Sequence, residues 1–163
     1  MIWLLIIFCL AVAISPLMWM KVSPRQRQIQ QCREIARKLS IRVNLQRRPD
    51  ARESEQRLDA VCYWLLWDDR SRPQPWILHR YSNRGWQSQW EGWHWIVGEA
   101  SLEWQPLIQN ALTLLPADVS AIVVNNYGVG VFWGENGDQL MVHKIKDCLA
   151  TLKEKGRNFA IEG

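Results

Sequence analysis

Side chains that could do acid–base or metal chemistry are few and scattered in this chain of 163 residues. The three histidines, His79, His94 and His143, are far apart, and none lies in an HxH or HExxH pattern, so only the fold could bring them together. Asp68 and Asp69 are adjacent, so on a strand their carboxylates would point to opposite faces and could not act as a pair. A turn at these residues is the simpler explanation. We therefore expect no metal site and no bound cofactor.

Motifs for nucleophilic catalysis or phosphate binding do not occur in the sequence either. No serine lies in a GxSxG pattern, and the Gly-Val-Gly run at 128–130 is not followed by GxGxxG or GKS/T, so a hairpin accounts for it. No cysteine in the part after the apolar N-terminus lies within four residues of another cysteine or of a histidine. We expect reduced, buried thiols at Cys32, Cys62 and Cys148, whereas Cys9 lies in the apolar N-terminal run.

Tryptophan is the residue whose frequency is most unusual. Eleven occur, and eight of them lie between residues 64 and 104. The four in 85–97 differ in parity, so a single strand that keeps their rings on one face needs an extra residue, and we predict a bulge at 91–92. Core packing is one interpretation of these rings. The other is a docking surface, since Trp and Arg are enriched at interfaces; its candidate residues are Trp86, Trp90, Trp93, Trp95, Arg80 and Arg84.

The first twenty residues contain no charged side chain, a length that matches the roughly 20 apolar residues of a spanning helix. Residues 21–57 then carry eleven basic and four acidic side chains. Because basic flanks of a spanning helix stay in the cytosol, we predict a single-pass inner-membrane protein with an outer N-terminus and a cytosolic C-terminal domain. A cleaved signal ending at Ala13 is the alternative, but no basic residue precedes the apolar run, which continues to Met20.

The basic stretch after the apolar run also predicts a partner. Basic side chains beside a membrane attract anionic lipid headgroups, and the candidates here are Lys21, Arg25, Arg27, Arg33 and Arg37. Nucleic acid is a second possible partner for basic and aromatic surfaces. Residues 58–163 carry more acidic than basic side chains and contain no RNP-like motif, so we expect no nucleic-acid partner.

The residues after the apolar run predict an α+β fold with a mainly antiparallel sheet of about six strands and three helices. Ser23-Pro24 marks the start of the first helix, and the segment 47–57 reads as an exposed loop. The predicted organisation is an anchor at 1–20, a basic juxtamembrane helix, strand and loop at 21–57, and a Trp-rich α+β region at 58–163. We expect 21–163 to fold as one cytosolic domain.

One family resemblance accompanies this pattern. The run Ser-Pro-Arg-Gln-Arg-Gln at 23–28 resembles the start of YajC-like accessory proteins of the bacterial Sec translocase, in which a Pro-Gln-Gln-Lys/Arg stretch follows the anchor. The family's compact glycine-containing β segment and any counterpart of the Trp-rich region are not shared. The whole chain resembles uncharacterised single-pass inner-membrane proteins of Gram-negative bacteria, which implies a location and no activity.

Two functions remain open from the sequence alone. The first is a membrane-anchored cytosolic protein-interaction or scaffold domain, accessory to a membrane complex. The second is a membrane-tethered enzyme or small-ligand-binding domain with a Trp-lined pocket between the Trp-rich strands and a helix. The thin catalytic inventory favours the first. A pocket holding His79, His94 or the 68–69 carboxylates would favour the second.

Overall fold

A computed structural model describes residues 2–4, 6–9, 12, 23–52, 59–68, 73–80 and 82–159. The described helices are α1 (Pro24–Lys38), α2 (Gln105–Leu114) and α3 (Gln139–Phe159), with a 3-10 turn at Leu102–Trp104, while residues 2–4, 6–9 and 12 are helical and exposed. The strands are β1 (Arg42–Arg47), β2 (Asp59–Leu66), β3 (Trp76–His79), β4 (Trp86–Gln87), β5 (His94–Val97), β6 (Val119–Val124) and β7 (Gly128–Trp133).

The seven strands form one antiparallel sheet in the order β1-β2-β7-β6-β3-β5-β4. The chain is thus α+β, with one strand more than the predicted six. The sheet joins β1, from the basic stretch, to six strands of the Trp-rich region. β1 and β4 form its two ends.

The additional strand arises in 85–97, where the prediction of a single bulged strand is wrong. The chain reverses there, so that β4 and β5 form a hairpin, and Gly92 has a φ of +75° in the turn between them. The Ser88 amide donates to the Trp93 carbonyl and the Trp93 amide to the Trp90 carbonyl. Glycine tolerates this left-handed conformation without steric cost, so Gly92 serves the turn rather than a bulge.

The predicted membrane anchor is also wrong. None of the helices formed by the described residues combines the length and the apolar character needed to cross a bilayer. The fold-class prediction of an N-terminal transmembrane helix fails on this finding. The single-pass inner-membrane location, with an outer N-terminus and a cytosolic C-terminal domain, fails with it, because its charge argument applies only to segments that span.

All three helices cover the same face of the sheet. Each contributes a narrow apolar stripe, for example Cys32 and Ala36 of α1, which are fully buried. The sheet residues beneath them alternate along the strands, as period-2 packing requires. The main core contains Tyr63, Trp76, Leu78, Ile122, Val131 and Trp133 from the strands and Ile108, Val142, Ile145 and Leu149 from α2 and α3.

The opposite face holds a smaller cluster of Cys62, Trp64, Ala121, Val123 and Phe132. A Cβ atom at Gly130 would lie 2.8 Å from Cε3 of Trp64, so the indole packs directly on the glycine. The Gly-Val-Gly run at 128–130 is the start of β7 and part of the β6–β7 hairpin, as predicted. Cys32, Cys62 and Cys148 are buried free thiols, which confirms that prediction, and burial raises the pKa of Cys148 to about 11.

The β1–β2 loop reaches across this second face. Nη1 of Arg84, from the segment between β3 and β4, donates to the carbonyls of Asp50, at 3.3 Å, and Ala51. β3 lies four places from β1 in the sheet, which is about 19 Å at 4.8 Å per strand. Ala51 is buried, so the prediction of an exposed loop is wrong for residues 48–51; residues 53–58 lie outside the described part.

Candidate functional site

The four tryptophans and two arginines of the candidate docking surface occupy different environments. Trp90 and Trp95 are buried, and their rings meet edge to face at a centroid separation of 6.0 Å. Trp93 is half-buried beneath the Arg80 guanidinium, 5.2 Å from the ring centroid. Trp86 alone among the four is largely exposed, at 45%. These rings mainly fill the core, because β4 and β5 lie at the end of the sheet that α2 and the 3-10 turn cover.

Arg84 and two of the histidines form internal contacts on the second face. His79 and His94 are directly paired on β3 and β5, with ring centroids 6.2 Å apart, so the fold does bring these two together. His79 is 2% exposed, and its Nε2 lies 2.9 Å from the Arg84 carbonyl. Neither Nδ1 has a hydrogen-bond partner. His143 is exposed on α3, on the helical side of the sheet.

The carboxylates near these histidines do not complete a metal site. Burial alone would raise the pKa of Asp50, but two hydrogen bonds from Arg48, at 2.6 and 3.0 Å, and the nearby His79 leave that pKa below its usual value. Asp68 pairs with Lys153 at 2.6 Å, and Asp69 lies outside the described residues. Within the described ranges, no three His, Cys, Asp or Glu side chains converge to hold a metal ion.

A cavity of about 700 Å³ lined by described residues runs along β1 and beside α1. Most of its wall is the continuous segment 40–45, and α1 contributes Arg33 and Arg37. Val43 and Leu45 of β1 and Val61 of β2 supply apolar surface, with Leu45 68% exposed. We call this cavity the β1 groove.

The two walls of the β1 groove are held in a fixed relation by a tight turn. The Ile41 amide donates to the Ala36 carbonyl at 2.8 Å and the Ser40 amide to the Arg37 carbonyl at 3.1 Å, the bond pattern of a Schellman motif. Ser40 occupies the left-handed position of the motif with a φ of 61°. At its other end α1 is closed by a capping box between Ser23 and Gln26. The helix therefore passes into β1 without a flexible linker.

An ion pair between half-exposed Arg33 and buried Glu135 holds α1 on the rest of the domain. Arg33 donates through Nε and Nη2 to both carboxylate oxygens of Glu135, at 2.8 and 2.6 Å, and Tyr63 donates to Glu135 Oε1 at 2.8 Å. Burial and the bond to Glu135 hold the pKa of Tyr63 well above its usual value, so its hydroxyl remains a donor. Glu135 is itself left-handed, with a φ of 56°, which is uncommon for a residue other than glycine. We call these three residues the Arg33 lock.

The five basic residues expected to face lipid occupy different environments. Lys21 lies outside the described residues. Arg25 bonds Asn136 at 2.9 Å, and Arg33 bonds Glu135. Arg27 lines a separate cavity between α1 and the start of α3, whereas Arg37 lines the β1 groove. The four described residues thus lie at the β1 groove, at the cavity between α1 and α3, or at the 134–137 loop. Contact with lipid stays a prediction.

No local pattern in the sequence predicts the Arg33 lock, because Tyr63 and Arg33 lie 72 and 102 residues from Glu135. A local signal at the groove is the alternation of Val43 and Leu45 with polar residues, a pattern typical of a half-buried strand. Comparison with protein-family models, with curated proteins and with solved structures finds no match. The resemblance to YajC-like proteins stays a prediction.

Proposed function

We propose that this chain is a protein-interaction domain that adds an extended segment of a partner protein to the outer edge of β1. The observation that carries the proposal is a six-residue strand at the end of the sheet, bordered by the β1 groove. No described strand pairs with its outer edge. The amide and carbonyl groups along such an edge can pair with an incoming strand.

Side chains beside β1 suit this mode of binding. In strand addition, main-chain hydrogen bonds provide affinity and alternate side chains provide specificity through adjoining pockets. Leu45 is exposed, and with Val43 and Val61 it offers an apolar strip on the groove side of the sheet. The fixed α1–β1 turn and the Arg33 lock keep this strip and the helix wall in place before binding, which lowers the ordering cost.

The alternative of an enzyme or ligand-binding domain with a Trp-lined pocket has less support. Three cavities lined by described residues lie along β1, between α1 and α3, and between α2 and α3, and the tryptophans of β4 and β5 line none of these three. The His79–His94 pair lies on the second face, and its neighbours Asp50 and Arg84 are bonded to Arg48 and to the β1–β2 loop.

Selection of linear peptides from a random display library on the full chain tests the proposal. We expect enriched peptides to lose binding to Leu45→Lys, which places a charge on the apolar strip. Leu102→Lys is the matched control, since Leu102 is also exposed, at 77%, and does not line the groove. Equal loss with both variants, or no enrichment at all, contradicts the proposal.

N-methylation of the selected peptides separates strand addition from other modes of groove binding. In an added strand, alternate amides face β1 and the others face away. Methylating one alternate set should therefore abolish binding, while methylating the other set should leave it within about threefold. Equal sensitivity to both sets shows that the peptide does not bind as a strand.

A further inference from the structure

The β1 groove is basic. Arg33, Arg37 and Arg42 line it, and none of the described residues along its wall is acidic. Arg37 and Arg42 are exposed and form no ion pair within the described part of the chain. Glu34, the nearest acidic residue on α1, pairs with Lys38 at 2.9 Å and does not line the groove. A ligand strand with carboxylates would complement this charge.

The bonds to Glu135 fix the Arg33 guanidinium in an orientation that could bind a second carboxylate, from a ligand. Its Nε and Nη2 are occupied by Glu135, which leaves Nη1 outside the ion pair on a side chain that is 46% exposed to solvent and lines the groove. Because the guanidinium is planar and rigid, fixing one edge also fixes the direction of the remaining N–H groups. A ligand carboxylate that meets Arg33 therefore has little side-chain entropy to remove.

The spacing of the arginines specifies the spacing of the acidic groups. Arg33 and Arg37 are four residues apart on α1 and both line the groove, a separation of about 6 Å along the helix axis. Residues at alternate positions of a strand lie on one face, about 6.7 Å apart. Resting on the proposed strand addition, we infer that the partner segment carries an acidic-x-acidic pattern, with one carboxylate bound by Arg33 and the next by Arg37.

Three labelled peptides with capped ends test the inference on the full chain by fluorescence anisotropy. The probe is Thr-Val-Glu-Val-Glu-Val-Thr, which places both carboxylates on one face. Its isomer Thr-Val-Val-Glu-Glu-Val-Thr has the same charge and composition but directs the carboxylates to opposite faces. The third peptide has Gln in place of both Glu residues of the probe. We expect the isomer to bind about fivefold and the Gln peptide about tenfold more weakly than the probe.

A matched pair of variants assigns the effect to the groove. Arg37→Gln should weaken the probe about tenfold and leave the Gln peptide unchanged, because it removes a charge and no internal bond. Arg27→Gln makes the same charge change on the same helix at a residue that lines the other cavity, and it should leave the affinity within about twofold. Rising salt should weaken the probe more than the Gln peptide.

The outcomes separate this inference from the proposed function. Equal affinity for all three peptides overturns the acidic pattern and leaves strand addition standing. If none of them binds, the acidic pattern is overturned, and the display selection decides strand addition independently. If Arg37→Gln instead weakens binding to vesicles of phosphatidylglycerol and phosphatidylcholine, and no peptide binds, the groove serves lipid headgroups and the inference is wrong.

Discussion

β4 and β1 end the same sheet in different ways. β4 is two residues long, and its one exposed aromatic, Trp86, is paired with the buried Trp95. β1 is six residues long, bears arginines at both ends, and borders a groove of about 700 Å³. A short edge strand exposes few unpaired backbone groups, whereas a long one exposes a template for another strand. We therefore call the short β4 edge, which is rich in tryptophan, the closed edge. We call the long β1 edge, which bears arginines, the open edge.

The difference shows how aromatic residues are used at the end of a sheet. Trp76 is 1% exposed, and its ring meets those of Trp95 and Trp104 edge to face, at centroid distances of 5.7 and 5.3 Å. Large rings fill the space between the last strands and the helices there, so they stabilise the domain instead of marking an interface. Under the proposed function, recognition depends on backbone groups and charges at the other end.

The largest expected effect is on stability at the β4 end. Trp76→Ala should lower the free energy of unfolding by about 3–5 kcal/mol, because it leaves a cavity among three rings. Trp86→Ala, which removes a half-exposed ring, should cost less than about 1 kcal/mol. Urea unfolding of the full chain measures both. Similar costs for the two variants would mean that the β4 end is not a closed core.

A smaller effect is expected from the Arg33 lock beside β1. Tyr63→Phe removes a donor to the buried Glu135 carboxylate and should cost about 2 kcal/mol in urea unfolding. Tyr127→Phe is the matched control, since Tyr127 is exposed in the β6–β7 turn, and it should be neutral. If both substitutions are neutral, the lock does not hold the groove wall.

The β1–β2 loop contacts Arg84, which precedes β4. The contribution of this loop to the free energy of unfolding should depend on pH. The folded pKa of Asp50 is lower than its unfolded value, so its stabilisation is present above about pH 4 and is lost as the pH falls through the folded pKa. Asp50→Asn should remove at most about 1 kcal/mol at neutral pH and flatten the acid limb of the stability curve. An unchanged acid limb would show that Asp50 contributes nothing to the loop.

The smallest effect on stability is expected at the open edge itself. Leu45→Lys should change the free energy of unfolding by less than about 0.5 kcal/mol, because Leu45 is exposed in the unbound chain. The same variant is expected to abolish peptide capture. A loss of more than about 1 kcal/mol would mean that Leu45 belongs to the folded core and that the groove is not an open surface.

Local patterns in the sequence were enough to predict several elements. Ser23-Pro24 marked the start of α1, and the Gly-Val-Gly run at 128–130 indicated the β6–β7 hairpin, because caps and turns need particular residues. Glycine commonly follows the last residue of a helix, but Gly156 lies inside α3. α3 continues to Phe159, and a Cβ at Gly156 would collide with the ring of Trp104, so this glycine permits close packing within the helix.

The candidate site was beyond the reach of local patterns. Parity within 85–97 could not reveal that the chain reverses at Gly92, so four rings were assigned to one strand. The partner of Arg33 lies 102 residues away at Glu135, and the position of Ser40 in the left-handed region has no signature in residue type. Which arginines meet in one groove depends on how α1 packs on the 134–137 loop, which only the tertiary structure fixes.

Amide hydrogen exchange of the full chain, with and without the Thr-Val-Glu-Val-Glu-Val-Thr peptide, tests the central claim most directly. If a partner strand adds to β1, alternate amides within Arg42–Arg47 should exchange at least about tenfold more slowly when the peptide is bound. The amides of Trp86–Gln87, at the closed edge, should not change. Slower exchange confined to the β4 and β5 amides, or peptide binding with no change in β1, would contradict the account.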